Sequence, residues 1–394
     1  MSNYPTSNAV HGGQIRSASI ANELRRHGHD VATIAVYVPD HYSPDSPDDV
    51  SFDRDSIYWS DELLYLSDYL GGLHARHSKD AFQLLNDKVV RFEPDAIVVE
   101  QPWLMPAAKL LKDMHGISLV YSSQNVEYRL KEDVLRRASV DAAESEALIR
   151  DIRALEYAAV ADSDLVIACT PADAATYRQL GFATPIVVGG NGVGPFSCSS
   201  ARVAQWKGYM GQPYPIFVSS AHLPNAHGFW DMMSPGLTFL GPEEHIVIAG
   251  SVCDIILRMA AENPLQRFNR SRIKLLGRME KVELQAAVRA SRVVLLPITS
   301  GEGSNLKTAE ALESGCEIVG TSKAFRGFEG AMALDNVHIA DTSGDFRRKV
   351  RNILDAPWND EGTPLSIRSQ FYWPTLLKDA VEAISNLSCS GATH

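Results

Sequence analysis

Short runs of β-branched and aliphatic residues alternate with amphipathic helical patterns along nearly all 394 residues, and that alternation admits few architectures. In the first half the runs are Val31–Val36, Ala96–Val99, Ser118–Tyr121, Leu165–Ala168 and Ile186–Val188. In the second half they are Ile216–Val218, Ile246–Ala249, Ile273–Leu276, Val293–Leu296, Glu317–Gly320 and Val337–Ile339. Runs this continuous read as strands buried on both faces. The segments between them place apolar residues at helical spacing, as at Leu148, Ile152, Leu155 and Ala159. Strand and helix in alternation over this length give parallel sheets with right-handed crossovers. The expected class is therefore α/β, and the length calls for two doubly wound domains rather than one.

The break between them falls at Gly189, Gly190, Gly192, Gly194 and Pro195 and in the stretch up to Pro215, where this density of glycine and proline disfavours helix and strand alike. Residues 1–190 are read as the first domain, 191–212 as a linker and 213–370 as the second domain. Asp40–Asp55, rich in Pro, Asp and Ser, is read as a loop inserted in the first domain. A doubly wound domain opens on a strand that leads into its first glycine turn, yet only Met1–Val10, polar and proline-containing, precedes His11, Gly12 and Gly13. The first strand is thus expected to be missing. Either the polypeptide starts further upstream or the sheet lacks a central strand, and the first is the expectation, because the second leaves backbone groups without partners.

Composition narrows the function. A net charge of −11 argues against non-specific nucleic-acid binding, which needs basic surface. The five cysteines, Cys169, Cys198, Cys253, Cys316 and Cys389, are scattered, which fits a reducing compartment better than a zinc or disulfide scaffold. No stretch reaches the roughly 20 apolar residues of a membrane span, and no signal segment opens the chain. The expected location is the cytoplasm, with peripheral association at the inner face of the plasma membrane open through partners or a lipid-linked substrate. Asp162 and Asp164 have the spacing of a metal-binding acidic pair, but they precede an apolar run instead of following one, and no metal ligand is assigned.

The sharpest local signal is Pro297–Gly315. It follows the run Val293–Leu296 and leads into a helix expected to start near Asn305. A glycine-rich strand-to-helix turn offers free backbone N–H groups and the positive end of a helix dipole, which together suit a diphosphate. Glu302 on the loop and Glu310 in the helix are separated by seven residues, so one carboxylate can face a sugar while the other reaches a ribose. Lys307, in the first turn, adds a charge for phosphate. A glutamate in a helix is ordinarily a solvated surface residue, so the spacing weighs less than the position at a strand's carboxyl end, where open sheets bind ligands.

At this point the chain resembles a family. Its second half is similar to the donor-binding domain of GT-B glycosyltransferases, specifically the retaining group called family 4, whose signature is a Glu, seven residues and a second Glu at a glycine turn. Glu302 and Glu310 match it, and Glu313–Gly315 with Glu317–Gly320 supply the following turn and strand. His11–Arg16 and Leu24–Val31 resemble the family's opening turn and first helix, and Tyr121–Glu127 its acceptor-side loop. Gly190–Val193 resembles the loop before the linker. Phe371–Trp373 resembles the aromatic motif before a terminal segment, here 371–394, that crosses back to the first domain. Together, in order, these cover about nine tenths of the chain.

The resemblance implies two Rossmann-like domains facing a cleft. It implies transfer of a sugar from a nucleoside diphosphate sugar to a hydroxyl acceptor, a saccharide or lipid-linked saccharide, with retention and without metal or resident cofactor, in a setting such as surface polysaccharide assembly. Glu310 would bind the donor ribose. Glu302, with the amides of Gly303, Ser304 and Asn305, would hold the sugar and diphosphate. Gly12 and Gly13 would approach the phosphates, and Asn125 and Glu127 would face the acceptor, although Asn125 reads equally as a helix cap. The chain departs from many members in lacking an Arg and a Lys on the turn after the first strand of the second domain, Phe217–Gly228. His222, Asn225 and Lys307 are then the candidates for the phosphate, and Arg278 for the base or for a solvated helix start. The alternatives are a non-catalytic nucleotide-sugar-binding scaffold, a sugar-nucleotide epimerase and a phosphorylase. For the epimerase no carboxylate and histidine pair can be assigned, and for the phosphorylase nothing suggests a lysine-bound pyridoxal.

Overall fold

Every strand pairing in the computed structural model is parallel among the described residues, which are 1–137, 141–301, 303–358 and 361–391. The chain divides into two units, Met1–Asn191 with Leu376–His394, and Gly192–Thr375. No helix among the described residues is long and apolar enough to cross a membrane.

In the first unit, helix α1 (Gly12–Arg26) is followed by strands β1 (Val36–Tyr37) and β2 (Val50–Ser51) and helix α2 (Ser67–His77). Then come β3 (Ala96–Glu100), β4 (Ser118–Ser122), α3 (Glu127–Arg137), α4 (Ala142–Asp162), β5 (Leu165–Ala168) and β6 (Ile186–Val188). α1 starts where a histidine allows it to: the His11 side chain accepts from Gln14 N–H while the Gln14 side chain returns to the His11 backbone, a reciprocal cap. β3, β4, β5 and β6 form one parallel sheet, and β1 and β2 pair beside each other.

What joins the two pieces is the start of the chain. Met1 O accepts from Glu100 N–H at 2.9 Å, and Ser2 O accepts from Val36 N–H at 2.9 Å. Ser2 bridges Ala35 in parallel, and the Met1 amine donates to Val98 O at 2.7 Å. Met1–Asn3 therefore occupies the central place, and the order reads β2, β1, Met1–Asn3, β3, β4, β5, β6. The expectation of a missing first strand is corrected to a shortened one. The same shortening explains why Val31–Val36, read as a strand, is one only at its end: Ile34 O accepts from Ser2 N–H at 3.2 Å, and no strand pairing is formed by residues 31–33 among the described residues. Beside them is a hollow of about 300 Å³, lined by Ala32, Thr33, Ile34, Ala96, Ile97 and the side chains of Leu24 and Val89. Burial there lowers the Met1 amine to about 6, against the pull of Glu100.

The second unit carries β7 (Pro215–Val218), α5 (Leu223–Met233), β8 (Ile246–Ala249), β9 (Ile273–Gly277), β10 (Val293–Leu296), α6 (Leu306–Ser314), β11 (Glu317–Gly320) and β12 (Val337–Ile339). Its sheet runs β12-β11-β10-β7-β8-β9, the doubly wound order with its reversal between β7 and β10. Phe217, Ile246, Ile248, Val293, Leu295 and Val319 form the sheet's share of the core, against Phe229 and Trp230 of α5. The stretch before Pro215 is not irregular throughout. Ser199 caps a helix over Ser200–Met210, and Gly211 ends it in the left-handed conformation, so glycine here terminates a helix instead of preventing one.

Candidate functional site

The loops leaving β7 and β10 start side by side at the reversal point of the second sheet, the position where open α/β sheets bind ligands. Two glycines bring backbones together there. A Cβ on Gly228, inside α5, would lie 2.2 Å from Pro297 O at the start of the β10 loop. One on Gly250, at φ +96°, would lie 2.1 Å from Ser219 O at the start of the β7 loop. Asn305 caps α6 through its side chain, which accepts from Lys307 N–H at 3.2 Å. Lys307 Nζ donates to Asn225 Oδ1 at 3.3 Å, and Asn225 Nδ2 donates to Ser220 O at 3.2 Å. The first turn of α6 and the β7 loop are thus tied through two of the expected residues.

Glu310 is exposed on the second turn of α6. Protein crowding around it still raises its carboxyl, while the ammonium groups of Lys307 and then Lys281 pull it down. Crowding lowers Lys307 and Glu310 counters it. Gly301 and Gly303 stand at φ +109° and +66°, and Arg326, which sequence reading passed over, holds both: its Nε donates to Gly303 O at 3.0 Å and its guanidinium also donates to Gly301 O. Ser304 is half-buried at the same turn. His222 is exposed before α5, where its side chain makes no cap bond, and Arg278 is exposed past the end of β9. Glu302 lies outside the described residues. A hollow of about 900 Å³ reaches Arg292, Glu317 and Asn336, at the amino ends of β10, β11 and β12, the wrong end of the sheet for a doubly wound ligand site.

The first unit reverses its order between Met1–Asn3 and β3. A pocket of about 230 Å³ opens there, lined among others by Asn3, Tyr4, His11, Tyr42, Asp68 and Gln101. Gln101 takes φ +66°, a conformation rare for a residue with a side chain and concentrated at functional sites. Its Nε2 donates to Glu127 Oε1 at 3.3 Å, as Asn125 Nδ2 does at 3.0 Å. Glu127 itself is fully buried, so the expectation that it faces an acceptor is amended: half-buried Gln101 lines the pocket and Glu127 stands behind it. Burial raises the Glu127 carboxyl to about 7; Lys131 and Asn125 oppose this, and Glu156 and Asp68 reinforce it. Asn125 does not cap α3. Glu156 of α4 does, accepting from Glu127 N–H at 3.0 Å and Tyr128 N–H at 2.9 Å, with Tyr177 donating to it at 2.7 Å. Gly12 and Gly13 form the first residues of α1, where a Cβ on Gly13 would lie 2.6 Å from Gln124 Oε1 and 2.7 Å from Tyr4 Oη. Among the described residues no group of three His, Cys, Asp or Glu is placed to hold a metal ion.

Residues 11–192 match the model of the family described as glycosyl transferase 4-like domain. Sucrose-phosphate synthase from Thermosynechococcus elongatus is similar in structure at TM-score 0.70 and 14% identity, over 97% of this chain and 94% of that one. Anabaena HepE in complex with UDP matches at TM-score 0.63 and 14% identity, over 98% and 99%. An Escherichia coli trehalose-6-phosphate protein bound with UDP-2-fluoro glucose matches at 0.61 and 14%, over 98% of each chain. No curated protein sequence matches significantly. At these identities the structural likeness speaks to the fold.

Proposed function

We propose that the chain is a glycosyltransferase of the GT-B type, on the match of residues 11–192 to the glycosyl transferase 4-like domain and the likeness of its fold to such enzymes, and that it transfers a sugar from a nucleoside diphosphate sugar to a hydroxyl acceptor with retention and without a metal. The observation that carries the donor side is the meeting of the glycine turn after β10, the amino end of α6 and Lys307 at the reversal point of one sheet. Backbone N–H groups and the helix dipole there stabilise a diphosphate, and Lys307 adds a charge. Glu310 takes the ribose. Glu302 with Gly303, Ser304 and Asn305 holds the sugar and its phosphates. His222 and Asn225 flank the diphosphate, and Arg278 meets the base; Gly12 and Gly13 are assigned to phosphate and Asn125 to the acceptor. Arg326 is a positioning residue that fixes the loop through its carbonyls.

In the reaction the acceptor oxygen bonds to the anomeric carbon as the bond from that carbon to the diphosphate breaks. The acceptor's proton passes to the departing diphosphate. The enzyme contributes positioning and stabilisation of the charge that develops on the leaving group. Surface polysaccharide or glycoconjugate assembly at the cytoplasmic face of a membrane is the setting this reading favours.

Similar proteins were solved with UDP or a UDP sugar, so UDP is the first nucleotide to test. Calorimetric titration with UDP and GDP, without metal, is expected to show micromolar binding of one of them, lost in Glu310→Ala. A folded protein that binds neither sinks the donor assignment.

A further inference from the structure

The pocket of the first unit has a chemistry of its own. Its walls are aromatic: Tyr4 and His11 meet edge to face at 4.9 Å, and His11 and Tyr42 lie 5.9 Å apart, with Phe52 beneath. His11 Nδ1 accepts from Gln14 N–H, which leaves the ring's proton on Nε2, where it donates to Tyr42 Oη at 3.1 Å. The Tyr42 hydroxyl proton is therefore available to a ligand. Asn3 is 8% exposed and its Nδ2 donates to Asp68 O, yet its Oδ1 has no partner. A buried amide oxygen left without a partner at a pocket wall waits for a donor from outside.

The charges around the pocket are negative. Asp68 lines it, and Glu100 lies near enough behind Tyr4 to act on its hydroxyl. The cation beside them, Lys131, donates to both Asp68 oxygens at 2.9 and 2.8 Å and stands over the Trp103 ring. The pocket's lining includes neither Lys nor Arg.

We propose that this pocket is the acceptor subsite and that it selects an uncharged pyranose over phosphorylated and carboxylated sugars. The inference rests on the transferase reading above. A pyranose offers C–H faces to aromatic rings and hydroxyls that donate to Asn3 Oδ1 and accept from Tyr42. A phosphate or carboxylate in the same place meets Asp68 with no cation free to answer it.

The test is saturation-transfer NMR and calorimetry on the full chain with saturating UDP. The probes are the methyl glycosides of glucose, galactose and mannose, set against glucose 6-phosphate and glucuronate. At least one neutral glycoside is expected to bind, with the anionic sugars about tenfold weaker or worse. Tyr42→Phe is expected to weaken the neutral ligand about fivefold, the effect of one lost hydrogen bond, with UDP affinity unchanged. Asp68→Asn frees Lys131 and is expected to narrow the discrimination against glucose 6-phosphate. If Asp68→Asn misfolds, Tyr42→Phe and the wild-type panel still decide. Equal or tighter binding of the anionic sugars overturns the proposal, and so does binding of none of the panel by a protein that holds UDP. Failure to bind UDP counts against the donor reading alone, because Tyr42-dependent binding of a neutral glycoside is read independently of it.

Discussion

Glu127 shows what a single side chain does when its surroundings disagree with its charge. Its carboxyl is fully buried and pushed up to about 7, so the folded protein keeps a proton there that the unfolded chain releases near pH 4.5. The folded state then binds more protons than the unfolded one between those values, and stability falls as pH rises through that window. Glu127→Gln removes the dependence while leaving an oxygen for Asn125 and Gln101. It is expected to match the wild type near pH 4.5 and to exceed it by on the order of 3 kcal/mol above pH 7, read from thermal melts across the range. A variant whose curve parallels the wild type throughout refutes this. The sequence singled out Asn125 and Glu127 as a pair facing the acceptor. The burial of Glu127 was not legible, because its partner Glu156 caps the helix from 29 residues away and carries nothing local to announce it. Gln101 and Arg326 were invisible for the same reason: each matters through a backbone conformation or a carbonyl that only the folded loop presents.

At the scale of elements, the two loops of the donor site are set by close approaches of backbone. Gly228 sits inside α5, where glycine is unfavourable, because any side chain would strike Pro297 O. Gly228→Ala must push α5 away from the β10 loop. It is expected to lower stability by about 2 kcal/mol or more and to weaken UDP binding together with it. A variant that melts lower but binds UDP unchanged would uncouple the helix from the site. The glycine turn, the strand before it and the helix start at Asn305 were all legible, since turn chemistry and caps are local. The helix Ser200–Met210 was not, because the glycines and prolines around it outweighed Ser199 and the run between them.

For the whole molecule, the doubly wound order of the second sheet follows from the alternation of apolar runs and helices, and the first sheet obeys it too once Met1–Asn3 is counted as a strand. Pairing partners are long-range, which is why the opening strand read as missing from the sequence, which could not show that three residues hold its place. That arrangement bears on how the protein is prepared. Because Met1 hydrogen-bonds into the sheet beside residues 31–33 and a hollow of about 300 Å³, residues joined ahead of it, as in a purification tag, are expected to change the pairing there. About four β-branched residues ahead of Met1, enough to pair that run, are expected to raise the melting temperature, at about 2–4 °C per kcal/mol gained in a domain of this size. A glycine-serine leader of equal length is expected to leave it unchanged, and equal melting of the two refutes the idea. On this expectation, two preparations that differ only in the last few residues of a tag are two different edges to the same seam.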